Sequence, residues 1–515
     1  MGRRALSQPP PGGEDIAALA KGGRTNFFGF LLRLAARLPF LFIAGRYYGP
    51  EALGRFAYAI LIVEFAAQLA TLGLKRGLAE QLSSTDKPHV WVVWDAMLVA
   101  FLASAAATLV LVLFPQAMFP NSQVRGVEWL LPLIVFAVAG SDVSLAALAY
   151  RHNVRATVTA RAIVEPWTIS IAAAVLYFTL SSRDGLIIAY VLSMLAALAA
   201  SLWPLFKAYG VPRGWRPQPG ALWALARRNT PLAAADAIEW GSRRIDIAIL
   251  GLFFSPAIVG IYYVAQQVAS LPQKLKTSFD PILGPVITQK LAEGDKPAVA
   301  KQVRQVGFWI IAAQTGVALS LGIPGEAVMG LVGEEFISGT GALAFLLAAE
   351  VVAATAAVSE AALVYIARHR NLMLSTLMIG VQIALSIALI LLMQSLGWSV
   401  TFQAAGPAIA LSLALGLASV LKARLLGRLL GAPVSGWRWP LIWAAAGASL
   451  VGYVVTLLPR SLEWIELAFG IPLILGVFGI ILWTRGFTHE DRVLFRLKGD
   501  EEPSLPTPRV SPRDH

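Results

Sequence analysis

Between Thr25 and Gly77 the chain reads TNFFGFLLRLAARLPFLFIAGRYYGPEALGRFAYAILIVEFAAQLATLGLKRG, two apolar segments around a Gly49-Pro50 break. Each segment is about 20 residues, the length an α-helix needs to cross a hydrocarbon layer roughly 30 Å thick. The first carries Arg33 and Arg37. A guanidinium facing lipid costs ~3 kcal/mol or more, so these side chains are expected to face a protein-lined or watery interior. A chain that opens this way folds in a bilayer.

The rest of the sequence agrees. Of the 515 residues, 57% are apolar and only 14% charged, and the mean hydropathy is +0.67. Soluble domains sit near one quarter charged. Fourteen segments are long and apolar enough to span, near 27–46, 53–74, 90–114, 128–149, 162–180, 186–206, 231–254, 257–280, 306–325, 341–366, 372–393, 401–421, 439–458 and 464–484. The seventh is rich in charge, and the eighth runs into Pro272, Pro281 and Pro285. Residues 1–23 are polar and lack the apolar core of a cleavable signal, so the first span is expected to direct insertion. The absence of cysteine excludes disulfides, thiolate metal sites and cysteine nucleophiles.

The net charge of +12 resolves by topology rather than by nucleic acid. With the N-terminus placed in the cytoplasm, 33 of the 42 Lys and Arg fall in the N-terminus, the even-numbered connections and the C-terminus, counting Lys274 and Lys276 at the end of the eighth span with the connection that follows. Five fall in the odd-numbered connections, counting Arg46 and Arg55 at the ends of the spans beside the first, and Arg33, Arg37, Arg243 and Arg244 lie deeper inside spans. This asymmetry is the positive-inside pattern. It predicts an even number of spans in a plasma membrane, with both ends cytoplasmic. Residues 207–230 form the longest basic connection and read as a linker, and the tail from Gly499 is Pro-rich and polar, as disordered segments are.

A displacement of 206 residues lays SPAIVGIYYVA (255–265) over GPEALGRFAYA (49–59). Pro50 meets Pro256, Gly54 meets Gly260, Arg37 meets Arg243 and Arg33 meets Glu239. At an offset of 217, Tyr150-Arg151-His152 meets Ala367-Arg368-His369. The two matches keep order, so the chain is read as two parallel six-helix repeats, related by an axis along the membrane normal, plus two C-terminal helices. The expected organisation is a cytoplasmic segment 1–24, an N-lobe 25–206, a linker 207–230, a C-lobe 231–425, the last two helices in 426–486, and a partly disordered tail 487–515.

An opening helix with interior arginine, a GPEALGRFAYA turn and a TLGLKRGLAEQL exit together resemble the polysaccharide flippase family (Wzx-type, O-antigen and exopolysaccharide) of the multidrug/oligosaccharidyl-lipid/polysaccharide exporter superfamily. The resemblance covers roughly residues 20–485. It implies a V-shaped pair of six-helix lobes around a cationic cavity, with the last two helices outside. It also implies movement of an undecaprenyl-pyrophosphate-linked oligosaccharide from the cytoplasmic to the outer leaflet, with a polymerase and a chain-length regulator as further partners.

Arg33 and Arg37, four apart, share one helical face. Asp236, Glu239, Arg243, Arg244 and Asp246 crowd the seventh span. Glu239 and Arg243 are spaced to pair, which leaves Arg244 to reach a cavity and grip pyrophosphate. The alternative is that these arginines snorkel to the interface or serve only as ion-pair partners. Buried acids form a second group of proton-carrying or charge-pairing candidates: Glu64, Asp95, Asp142, Glu165, Glu350 and Glu360, with Glu64 and Glu350 the best placed. Pro39, Pro272 and Pro407 predict kinks. Trp91, Trp94, Trp129, Trp437, Trp439, Trp464, Trp483, Tyr47 and Tyr48 read as interfacial belts, and Tyr262 and Tyr263 are candidates for sugar stacking. No phosphate-binding loop, HExxH or GxSxG occurs, and the five histidines are scattered. The chain is therefore not expected to be an enzyme or to carry a cofactor or metal. Two rivals share the fold: a peptidoglycan-precursor flippase with similar cavity arginines, and a drug/cation antiporter, which would favour acidic cavity residues.

Overall fold

The computed structural model describes residues 38–120, 124, 126–151, 153–179, 184–277, 287, 290–291, 293–459, 462–488 and 491. Among these residues the fold is all-α. In chain order the helices are α1 (38–48), α2 (Gly49–Ala70), α3 (Leu74–Ser83), α4 (His89–Leu113), α5 (Gly126–Tyr150), α6 (Arg155–Thr179), α7 (Gly185–Tyr209) and α8 (Pro219–Ser242). Beyond them come α9 (Ile245–Phe253), α10 (Pro256–Thr277), α11 (Lys296–Gly322), α12 (Thr340–Ile366), α13 (Arg368–Ser395), α14 (Val400–Leu430), α15 (Pro440–Val455) and α16 (Glu463–Gly486). Ten stretches of the described residues are long and apolar enough to cross a membrane. The expected fourteen spans also include the charged seventh and eighth, the short α15, and a first span that begins outside the described residues.

The displaced repeat is a physical contact. Pro50 and Pro256 stand in the first turns of α2 and α10, where proline's missing N–H costs nothing. One turn on, Gly54 and Gly260 face each other across the axis that relates the repeats. A β-carbon on Gly54 would lie 2.7 Å from the Gly260 nitrogen, and one on Gly260 would lie 2.9 Å from the Gly54 nitrogen. Only residues without a side chain allow the two backbones to approach this closely.

The cores divide along the same axis. At the end of the bundle poor in basic residues, both repeats share one apolar core that includes Leu53, Val63, Ile134, Tyr190, Leu250, Tyr262, Leu343 and Ala408. Toward the end carrying the basic connections, the core splits. One part (Leu74, Leu78, Val93, Leu148, Leu205 and Leu225) joins the first repeat to α8. The other (Val303, Phe308, Trp309, Leu363, Leu426, Ile474 and Phe478) joins the second repeat to α15 and α16. The two halves are thus fused at one face and separately cored at the other, where α8 goes with the first repeat.

Several expectations need correction. The linker 207–230 contracts to residues 210–218, because α7 runs to Tyr209 and α8 starts at Pro219, a residue suited to a helix's first turn. Trp91 and Trp94 stand beside that connection: Trp91 donates to the Arg213 carbonyl (3.3 Å), Trp94 lies against Trp215 (6.4 Å), and Trp215 donates to Asp95 (2.9 Å). Tyr48 is buried rather than part of a belt, and its hydroxyl donates to the Ala173 carbonyl (2.7 Å). Trp129, Trp437, Trp439, Trp464, Trp483 and Tyr47 are exposed, as belts require.

Candidate functional site

The expected seventh span is two helices. α8 ends at Ser242, Arg243 and Arg244 form a turn, and α9 begins at Ile245. The halves keep different company. α8 packs on α2, α3 and α4 of the first repeat, whereas α9 packs on α10, α13 and α14 of the second, and also touches α2. The discontinuity with its two arginines is therefore the joint between the repeats. Arginine is itself a good helix former, so the break answers to the different partners of its two halves; broken helices line sites in transporters.

At this joint Arg244 donates to the Glu64 carboxylate on α2 at 2.6 Å. The other Glu64 oxygen accepts from the buried Tyr190 hydroxyl of α7 at 3.0 Å. The Arg244 guanidinium lies over the Trp240 ring, 4.6 Å from its centre, and Trp240 packs on Phe65 at 5.7 Å. Arg244 is 42% exposed and Glu64 25%. Arg243 is exposed beside them. Arg244 therefore lies between the Trp240 ring and the Glu64 carboxylate, partly exposed.

Of the predicted site residues, the structure brings Glu64 and Arg244 together with Arg243 adjacent. Arg33 and Arg37 lie outside the described residues. Glu239 belongs to α8, but its side chain, and so its pairing with Arg243, also lies outside them. Asp142 is held in the first repeat by Arg161, which bridges to Glu165 (2.9 Å) from a π-helical stretch, Val158–Val164, with Lys75 at 3.9 Å from Asp142. Glu360 pairs with Lys422 (3.0 Å), which also donates to Ser375 (2.9 Å), tying α12, α13 and α14 together. Glu350 sits half-buried in α12 and is engaged. Hydropathy places Arg161 and Lys422 in connections; both lie within helices, and Lys422 is almost wholly buried.

Tyr262 is not available to stack on sugar. It is 1% exposed, and its hydroxyl donates to Asp246 at 2.8 Å. Asp246 is fully buried and accepts further from Gln266 (3.1 Å to each oxygen) and from the Ile247 N–H (2.9 Å). Among the described residues no cation pairs with it. The sequence shows Asp246 only as one of the charges of the seventh span and gives it no role. Its signal is position: an acid in the first turn after a helix break, where the free N–H groups welcome negative charge.

The helical architecture and the joint between two repeats define a multi-pass membrane protein. Residues 43–313 match the profile described as a polysaccharide biosynthesis protein, and the chain belongs to that family. Its fold is similar to that of the lipid II flippase MurJ in an inward closed conformation (TM-score 0.66, 12% identity, 89% of this chain and 99% of that one). It is also similar to an inward-facing multidrug resistance MATE family transporter of the MOP superfamily (0.62, 14%, 78% and 98%). A third similar structure is a MOP superfamily transporter from Pyrococcus furiosus, described as having a binding pocket of reverse polarity (0.55, 13%, 82% and 99%). No curated protein matches by sequence.

Proposed function

We propose that this chain is a flippase that carries an undecaprenyl-pyrophosphate-linked oligosaccharide, a lipopolysaccharide or exopolysaccharide repeat unit, across the bacterial inner membrane by alternating access. The observation that carries the reading is the pair Arg243–Arg244 at a helix break between the repeats, in a chain of the polysaccharide biosynthesis family. Guanidinium groups bind phosphate oxygens in a multidentate way, and a helix break supplies backbone polarity at membrane depth. In this reading Arg33 and Arg37 complete the grip from the first repeat, and the polyprenyl tail stays in lipid. The basic end of the bundle is cytoplasmic, with both termini there. Cargo loads from that side, where the two repeats have separate cores. A polysaccharide polymerase and a chain-length regulator receive the cargo's chemistry downstream.

The test is deletion of the gene followed by leaflet-resolved analysis of polyprenyl-linked sugars. Accumulation on the inner face, relieved by the parent gene and not by Arg243→Ala or Arg244→Ala expressed at equal membrane abundance, is the expected result. Normal surface polymer in the deletion strain sinks the reading.

A further inference from the structure

We infer that Glu64 is an internal substitute for the cargo's phosphate: it holds Arg244 while the site is empty of cargo and yields it when a pyrophosphate arrives. The inference rests on the reading of Arg244 as an anion-binding residue and adds what competes for it.

Three observations lead here. The Glu64–Arg244 contact joins the repeats, since Glu64 is on α2 and Arg244 is the residue from which α9 departs into the second repeat. It is also reachable. Arg55–Glu128, by comparison, has side chains only 12% and 1% exposed, whereas Arg244 is 42% exposed. An ion pair open to solvent contributes about 1 kcal/mol at most, so a ligand can replace it.

Finally, both partners keep a second contact after they part. Glu64 retains the Tyr190 hydroxyl at 3.0 Å, so its carboxylate is not left without a donor. Arg244 retains the Trp240 face, so its guanidinium stays presented. Pyrophosphate brings more charge and more acceptor oxygens than one carboxylate and satisfies two guanidinium groups at once, Arg244 and the exposed Arg243. When Arg244 changes partners, a link between α2 and the α8–α9 joint is lost. Cargo binding and separation of the repeats are thereby coupled, and the coupling is reciprocal.

The experiment measures inorganic pyrophosphate binding to the purified full-length protein by calorimetry. Glu64→Gln removes the competing charge and is expected to bind about fivefold more tightly than the parent, the factor that matches ~1 kcal/mol. Arg244→Gln is expected to bind at least tenfold more weakly. If Arg244→Gln is weakened but Glu64→Gln binds no more tightly, the competition is refuted and the anion site stands. If Arg244→Gln binds like the parent, the anion site itself is refuted, and the competition with it. Should Glu64→Gln fail to accumulate, the parent is read directly. The cysteine-free sequence accepts spin labels at Gln68→Cys and Gln267→Cys, and saturating pyrophosphate is expected to lengthen their separation. An unchanged distance with pyrophosphate bound overturns the inference.

Discussion

Along α2 the two repeats meet in two different ways. At Gly54 the contact is steric: backbone lies against the backbone of α10 at Gly260, in a core that both repeats share. Ten residues later, at Glu64, the contact is electrostatic and half-exposed. The first admits no side chain and is indifferent to salt. The second is partly exposed and open to screening by salt. A helix built this way is fixed where the repeats are fused and releasable where they are to part, a division of labour that follows from packing density at one end and dielectric at the other.

Charge that is mostly covered and shared between two acids behaves more like the steric contact, and it sets the largest expected effect. Arg161→Ala leaves Asp142 and Glu165 without their shared cation and is predicted to cost ~3–5 kcal/mol, read as a fall in membrane abundance and in the melting temperature of the purified protein. Melting unchanged by this substitution would erase the distinction between the two kinds of contact.

Gly54→Leu comes next. Overpacking typically costs ~1–3 kcal/mol, and here the added atoms meet the Pro256 carbonyl and the Gly260 backbone. The expected relief is separation at the fused end, so that Val259→Cys, buried in the parent, becomes reactive to a water-soluble maleimide only in the Gly54→Leu background. Equal protection in both backgrounds would show that the glycine contact is not what holds that end shut.

How much of this is legible in the sequence depends on the kind of interaction. Apolar runs mark the approximate places of the helices, and the pairing of Gly54 with Gly260 is visible because the axis brings together residues that the 206-residue displacement superposes. Helix 231–254 reads as continuous, and the break within it is not visible, because hydropathy sees composition and not continuity. The Arg243–Arg244 break, and the docking of α8 on the first repeat, depend on tertiary partners. Asp142, Glu360, Arg161 and Lys422 are legible as charges but not as pairs, since Asp142 and Arg161 are 19 residues apart and Glu360 and Lys422 are 62. Tyr262 looks like a sugar-facing aromatic until Asp246 claims its hydroxyl.

A smaller effect concerns the end of the chain, where the second repeat is tied to the segment beyond α16. Asp491 is wholly buried and accepts from Arg438 (2.6 Å), Thr488 and Trp309 (3.0 Å). Burial alone would push its carboxyl up; the donations from Arg438 and Thr488 outweigh that and hold it below the ordinary range. A carboxyl lowered by folding stabilises the folded state above the unfolded value, near 3.9, and loses that contribution as pH falls through the lower folded value. Asp491→Asn should therefore cost ~2 kcal/mol near neutral pH and flatten the acid limb of a melting-temperature profile. A parallel profile, merely displaced, would mean that the carboxylate's charge is irrelevant there.

The smallest effect is expected where the function is proposed to lie. A double-mutant cycle on Glu64 and Arg244, read by thermal unfolding without ligand, should give a coupling of about 0.2–1 kcal/mol. That coupling should shrink toward zero in 1 M salt, where the screening length falls to about 3 Å. The same treatment should change the cost of Arg161→Ala less, because its side chains are only 13–23% exposed and one guanidinium there serves two carboxylates. The weakness matters physically. A contact worth several kcal/mol would tax every binding event by that amount, whereas one worth less than ~1 kcal/mol can be exchanged for a phosphate at little loss and still align the two repeats beforehand. If the measured coupling exceeded ~3 kcal/mol and resisted salt, Glu64–Arg244 would belong with the buried pairs, and α2 would hold the repeats together in one way rather than two.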